Sequence, residues 1–171
     1  IRFIGKLGLS LEDDTSEPIR RLALLLRDVS ASRLFDEVLK LLQAGYGRVS
    51  FPYLIHYDLL KALFPSTSDL LESTDDTHYR QLINLALNNT DIRLTEGKSV
   101  TPAFLYAALY WPIVHHRWQE LAAEGHGRTQ SLAIASSETL ALNQQFIAIP
   151  KRFCATIHEI WDLQVKLEKR H

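Results

Sequence analysis

The chain is 171 residues long, enough for one domain, and 19 Lys and Arg against 20 Asp and Glu leave a net charge of −1. Leu fills 29 positions while Gly and Pro together fill only 13, a composition rich in helix formers and poor in chain breakers. It excludes intrinsic disorder, a collagen-like repeat and a disulfide scaffold; no apolar run approaches the ~18 residues of a membrane span, and no global basic field announces nucleic acid.

In chain order, Glu12-Asp13-Asp14-Thr15-Ser16-Glu17-Pro18 is a helix-start signal, with acidic residues, hydroxyl caps and a Pro for the first turn. It predicts a helix over residues 19–29, whose Leu22, Leu25, Leu26 and Val29 share one stripe. Ser30 caps a second helix over 31–43 that Gly45 ends. Its core stripe is Leu34, Phe35, Val38, Leu41 and Leu42, and its polar face is Arg33, Asp36, Glu37 and Lys40. The i, i+4 pairs Arg33–Glu37 and Asp36–Lys40 are worth only ~0.3–0.5 kcal/mol each. Ser50 and Pro52 open a further helix that runs to about residue 57 and continues irregularly to a stop at Pro65. A short helix over 66–72 and a turn over 73–76 follow. The period of Tyr79, Leu82, Ile83, Leu85 and Ala86 predicts a helix over 77–88, and the polar stretch 89–99, with Gly97 and Lys98, reads as a loop. Thr101 caps a long helix with Pro102 at its first position, Pro112 as a kink and Gly125 as its stop. Two last helices are expected over 128–148 and from Pro150 to at least residue 169. The sum is an irregular all-α array of about eight helices.

Catalytic constellations are missing from this pattern. Gly5-Lys6-Leu7-Gly8 has neither the length nor the Ser/Thr of a phosphate loop. Carboxylates at 12–14 are explained by the helix dipole. His115 and His116 point ~100° apart on a helix, which does not suit one metal. His56, His78, His126 and His158 are scattered, and Trp111, Trp118 and Trp161 have core spacing. Cys154 stands alone and reads as a small core hydrophobe; with no signal peptide, a cytoplasmic location is expected. The chain opens on Ile1 and has no Met, so it reads as a fragment, non-catalytic by itself, with no metal or cofactor site of its own.

Several stretches are more specific than composition. Ile19-Arg20-Arg21-Leu22-Ala23, and the run from Ala31 through Arg33-Leu34-Phe35-Asp36-Glu37 to Ala44-Gly45-Tyr46-Gly47, resemble the bacterial poly(A) polymerases, of the class that also holds the CCA-adding tRNA nucleotidyltransferases. So do Asn89-Thr90-Asp91-x-Arg93, Val100-x-Pro102-Ala103-Phe104-Leu105 and Ala148-Ile149-Pro150-Lys151-Arg152. The opening Arg2-Phe3 with Lys6-Leu7 looks like the end of that family's neck motif. The resemblance implies neck helices with an RNA-binding segment over 1–47 and a helical body over 48–171, truncated at its C-terminal end. The catalytic head, with its paired carboxylates and two Mg²⁺, and the Arg-rich tail would lie outside. It implies a parent enzyme, a polynucleotide adenylyltransferase, that adds AMP from ATP to RNA 3′ ends without a template. Arg2 would contact the nucleotide, Arg33 and Glu37 would brace the neck against the head, and Lys40, Arg48, Lys98, Lys151 and Arg152 would be RNA contacts. Expected partners are an RNA 3′ end, the chain's own head domain and a DEAD-box RNA helicase. The alternatives are a helical protein-interaction module or the equivalent region of a CCA-adding enzyme.

Overall fold

A computed structural model describes residues 13–73 and 77–168, the side chains at 13–16, 22 and 24 excepted. Arg2, the Arg2-Phe3 and Lys6-Leu7 stretch and most of the expected turn over 73–76 lie outside the described residues. Within them the chain forms nine α-helices: α1 (Asp13–Ala23), α2 (Ala31–Leu42), α3 (Gly47–His56), α4 (Leu59–Leu63), α5 (Pro65–Ser73), α6 (Thr77–Thr95), α7 (Pro102–Ala123), α8 (Arg128–Asn143) and α9 (Lys151–Glu168). A 3-10 segment, Leu24–Asp28, joins α1 to α2, and no strand occurs among the described residues. None of these helices is long and apolar enough to cross a membrane.

The organising element is α7. Eleven of its residues are buried, on every side of the helix, as expected of a helix enclosed by others. It packs against α8 and α9, and α5 and α6 cover its remaining faces. Tyr106 is fully buried; it stacks on Phe35 of α2 at 5.0 Å between ring centroids and donates its hydroxyl proton to the Phe35 carbonyl at 3.0 Å. Trp161 of α9 donates its indole N–H to the Ala107 carbonyl at 3.0 Å. Burial holds the Tyr106 and Tyr110 phenols well above the usual tyrosine range, with Tyr110 and Asp36 adding to the effect at Tyr106. Trp111, Trp118 and Trp161 are all core residues, as their spacing implied.

Four boundaries differ from the sequence reading. The first helix starts at Asp13, with Pro18 in its interior, and ends at Ala23. Beyond it the backbone tightens to three residues per turn, so the expected stripe breaks and Leu25 is 54% exposed while Ala23 is buried. The third begins at Gly47 rather than Phe51. The expected loop over 89–99 is helical to Thr95: the Thr90 and Thr95 hydroxyls donate back to the Ala86 and Asp91 carbonyls at 2.9 Å, so polar residues that compete with a helix here stay within it. The helix predicted over 128–148 stops at Asn143. Gln144 takes both backbone groups of Ile149, accepting from its N–H at 3.2 Å and donating to its carbonyl at 3.0 Å, which closes a turn that buries Ile147 and Ile149.

Candidate nucleic-acid interface

The first N–H groups of a helix have no partner within it and must find one elsewhere. For α3, whose Tyr46 cap offers no side-chain bond, they find it on α6: Asp91 accepts from the Gly47 N–H at 2.8 Å and the Arg48 N–H at 2.9 Å, one carboxylate oxygen to each. A carboxylate here also meets the positive end of the helix dipole. The approach is close enough that a Cβ on Gly47 would sit 2.9 Å from the Leu42 carbonyl and 3.3 Å from Leu87. Gly45, at φ +84°, makes the preceding reversal.

This clamp fixes the start of the Arg48 side chain against α6. The exposed guanidinium donates to the Asn88 carboxamide oxygen at 3.2 Å, over a shallow trough lined by Gln81, Asn84, Leu85 and Asn88. Four residues one to two turns apart on one helix thus place three carboxamides beside one cation. Carboxamides both donate and accept, and a guanidinium is suited to a phosphate in two-point contact. Arg48 was expected from sequence; Gln81, Asn84 and Asn88 were not, although their i, i+3, i+7 spacing in a helix would have shown a polar stripe.

The other expected cations fall into two groups. Gln43, at the end of α2, donates to the Val100 carbonyl at 2.8 Å. That bond draws the 96–101 turn, with Lys98, to the end of α2 that also carries Lys40. Both lysines already have a carboxylate: Lys40 reaches Glu37 at 2.9 Å, turning to i−3 rather than to Asp36, and Lys98 reaches Glu96 at 2.6 Å. Lys151 and Arg152 open α9 at the opposite end of α2, where Ala148 donates its N–H to the Ala31 carbonyl and Phe153 stacks on Phe35. Arg152 lies over its neighbour Phe153 at 4.7 Å, and both cations are exposed. The Lys151–Arg152 pair therefore lies beside the first half of α2, whereas Lys40, Arg48 and Lys98 gather toward its C-terminal end. Arg33 is exposed on α2, one turn before Glu37.

His115 is enclosed by Trp111, Trp118 and Tyr79, whose hydroxyl lies 2.8 Å from its Nδ1. No three His, Cys, Asp or Glu side chains converge on one point among the described residues.

Two family models match the chain. One, described as "Probable RNA and SrmB- binding site of polymerase A", covers residues 8–71; the other, "Polymerase A arginine-rich C-terminus", covers residues 124–171. The second stretch is itself not strongly basic, with Arg128, Lys151, Arg152, Lys166, Lys169 and Arg170 against Glu124, Glu138, Glu159, Asp162 and Glu168. Among curated relatives, Poly(A) polymerase I of Escherichia coli O6:H1 is 39% identical over 99% of the chain, and that of Haemophilus influenzae is 40% identical over the same share. Poly(A) polymerase I of Salmonella typhimurium is 37% identical. The chain spans 37% of the length of the first of these and 38% of the second.

Proposed function

The chain belongs to the poly(A) polymerase I family, and from that premise we propose that it is the neck and body that hold an RNA 3′ end for a catalytic head lying elsewhere. In this reading residues 1–47 form the neck and 48–171 the body, and the parent protein is a cytoplasmic enzyme that transfers AMP from ATP to the RNA 3′ hydroxyl. ATP and Mg²⁺ would supply the phosphoryl chemistry; none of the described side chains is assigned to holding them. Arg2 would reach the nucleotide, and Arg33 and Glu37 would set the neck against the head. Lys40, Arg48, Lys98, Lys151 and Arg152 would meet RNA.

The observation that carries the RNA reading is the Arg48 trough, a guanidinium held in place by its own clamped backbone beside three carboxamides. Single-stranded oligo(A) titrated onto the chain is expected to bind weakly, at micromolar Kd or poorer, with affinity falling steeply as salt rises. Absence of binding at ~50 mM salt would overturn it. The bracing role of Glu37 has its own test in the whole enzyme. Glu37→Ala should cost the fold less than ~1 kcal/mol, because the side chain is about half exposed. It should nevertheless lower activity well beyond that, since small misplacements of reacting groups cost up to ~10²-fold. Equal losses in melting temperature and activity would make Glu37 ordinary scaffold.

A second reading rests on a different face. Between α5, α7 and α8 runs a groove lined by Leu70, Ile113 and the exposed Leu142, with the carboxylates of Asp69, Glu120 and Glu138 outnumbering the one guanidinium, Arg117. Its chemistry favours a basic protein segment over RNA, which fits a docking site for a protein partner such as the expected helicase.

A further inference from the structure

Around the side of α6 from the Arg48 trough lies a second cavity. The trough is lined by residues 81, 84, 85 and 88; the cavity, of about 170 Å³, is lined by Leu82, Ala86 and Asn89, together with residues of α7 and α9. Each row is offset from the other by one residue, or about 100° around the helix, so the two sites are neighbours on one surface. Alanines at 86, 107 and 108 leave the space, Trp111 and Trp161 close its inner end, and Phe104 is a half-buried wall. Asn89 from α6 and Gln164 from α9 reach it from two helices, and neither carboxamide has a hydrogen-bond partner among the described residues.

We propose that this cavity accepts one unstacked adenine base of a single strand whose backbone runs past Arg48. The volume is that of roughly six waters at ~30 Å³ each, room for a flat ring system and too little for a ligand that needs ~300 Å³ or more. An aromatic wall offers stacking to any base. The carboxamides add selection, because Asn and Gln present the donor and acceptor that match the N6 amino group and N7 of adenine. The walls carry no charge, so the ligand group entering must be neutral: a base, not its phosphate. Asn89 and Phe104 come from two separate stretches singled out in the sequence, and the fold brings both to this cavity. The proposal deepens the RNA reading and rests on it for the strand, but the base site can be tested without one.

Adenosine, which carries no phosphate, is titrated onto the 171-residue chain with Trp fluorescence as the readout, since Trp111 and Trp161 border the cavity. A saturable change is expected with adenosine and a weaker one with uridine. Gln164→Leu, which removes the carboxamide and keeps the bulk, should weaken adenosine about tenfold. Ala108→Leu, which fills the cavity from α7, should abolish the response; a melt of each variant shows whether it is folded. No saturable response to adenosine, or an equal response from uridine or from folded Gln164→Leu, overturns the proposal. An oligo(A) strand and its abasic counterpart separate the two readings. If both strands bind equally and salt-dependently while adenosine does not bind, the base site fails and the RNA reading stands. If adenosine binds and neither strand does, the RNA reading fails and the cavity remains a purine site.

Discussion

Two arginines, one at the start of α3 and one on α7, show how position decides what a guanidinium can do. Arg48 sits at the start of α3, its backbone held by Asp91, and among the described residues its side chain bonds the neutral Asn88 and no carboxylate. Arg117, on α7, is surrounded by acid: Nε lies 2.8 Å from Glu138, and Nη1 lies 3.3 Å from Glu120 and 3.9 Å from Glu124. The hydrogen bonds that Arg117 donates to Glu138 and then to Glu120 raise its pKa above the usual arginine value. The charge of Arg117 is therefore spent inside the protein, and three carboxylates leave its groove net negative. Arg48 spends only one neutral hydrogen bond, so its charge faces outward. The count of Lys and Arg says nothing of this difference; the carboxylates each one meets decide it.

The largest effect expected from breaking this contrast comes from Asp91. In Asp91→Ala the α3 N–H groups of Gly47 and Arg48 lose their acceptor, and the melt should report a loss of about 2 kcal/mol. Oligo(A) binding should weaken with it, because Arg48 is no longer aimed. Asp91→Asn keeps one oxygen and should recover part of both. Stability lost with affinity untouched would mean that Arg48 does not depend on the clamp.

Next in size is Arg48 itself. Arg48→Gln should leave the melt nearly unchanged, since the side chain is exposed and its partner stays solvated. It should lower oligo(A) affinity by about three- to tenfold at low salt, and should reduce the slope of log affinity against log salt by about one. An unchanged slope would remove Arg48 from the set of phosphate contacts and shift the interface toward Lys151 and Arg152.

Much of the fold could be read before the structure because its signals are local. Ser30 accepts from the Arg33 N–H and Thr101 from the Ala103 N–H, each at 3.4 Å, and Gly125 ends α7 at φ +94°: one residue and its near neighbours suffice for each. What was misread depends on distant partners. Asn89 to Thr95 looks like loop because polar residues usually favour turns, yet Asp91 there holds a helix 44 positions earlier in the chain. The stop at Asn143 depends on a Gln144 side chain closing a turn onto Ile149, which no helix period records. The same limit applies to the site. Arg48 was legible as a cation, but the carboxamides under it emerge only when α3 lies across α6.

The smallest effect is expected at Arg117, and it is the sharpest check on the comparison. Its bonds are numerous, yet the side chains involved are about one-third to one-half exposed, where water and salt screen ion pairs. Arg117→Ala should shift the melting temperature by about 2 °C or less at physiological salt, and raising the salt should shrink that shift. Oligo(A) affinity should stay the same or rise slightly, because the cation removed was already neutralised and lines a different groove from the Arg48 trough. A double-mutant cycle with Glu138→Ala isolates the 2.8 Å pair, and its coupling should fall with salt. A large, salt-insensitive coupling would make the cluster a structural staple between α7 and α8. A loss of oligo(A) affinity in Arg117→Ala matching that of Arg48→Gln would mean that RNA reads both sites, and that the carboxylates around a guanidinium do not decide its role.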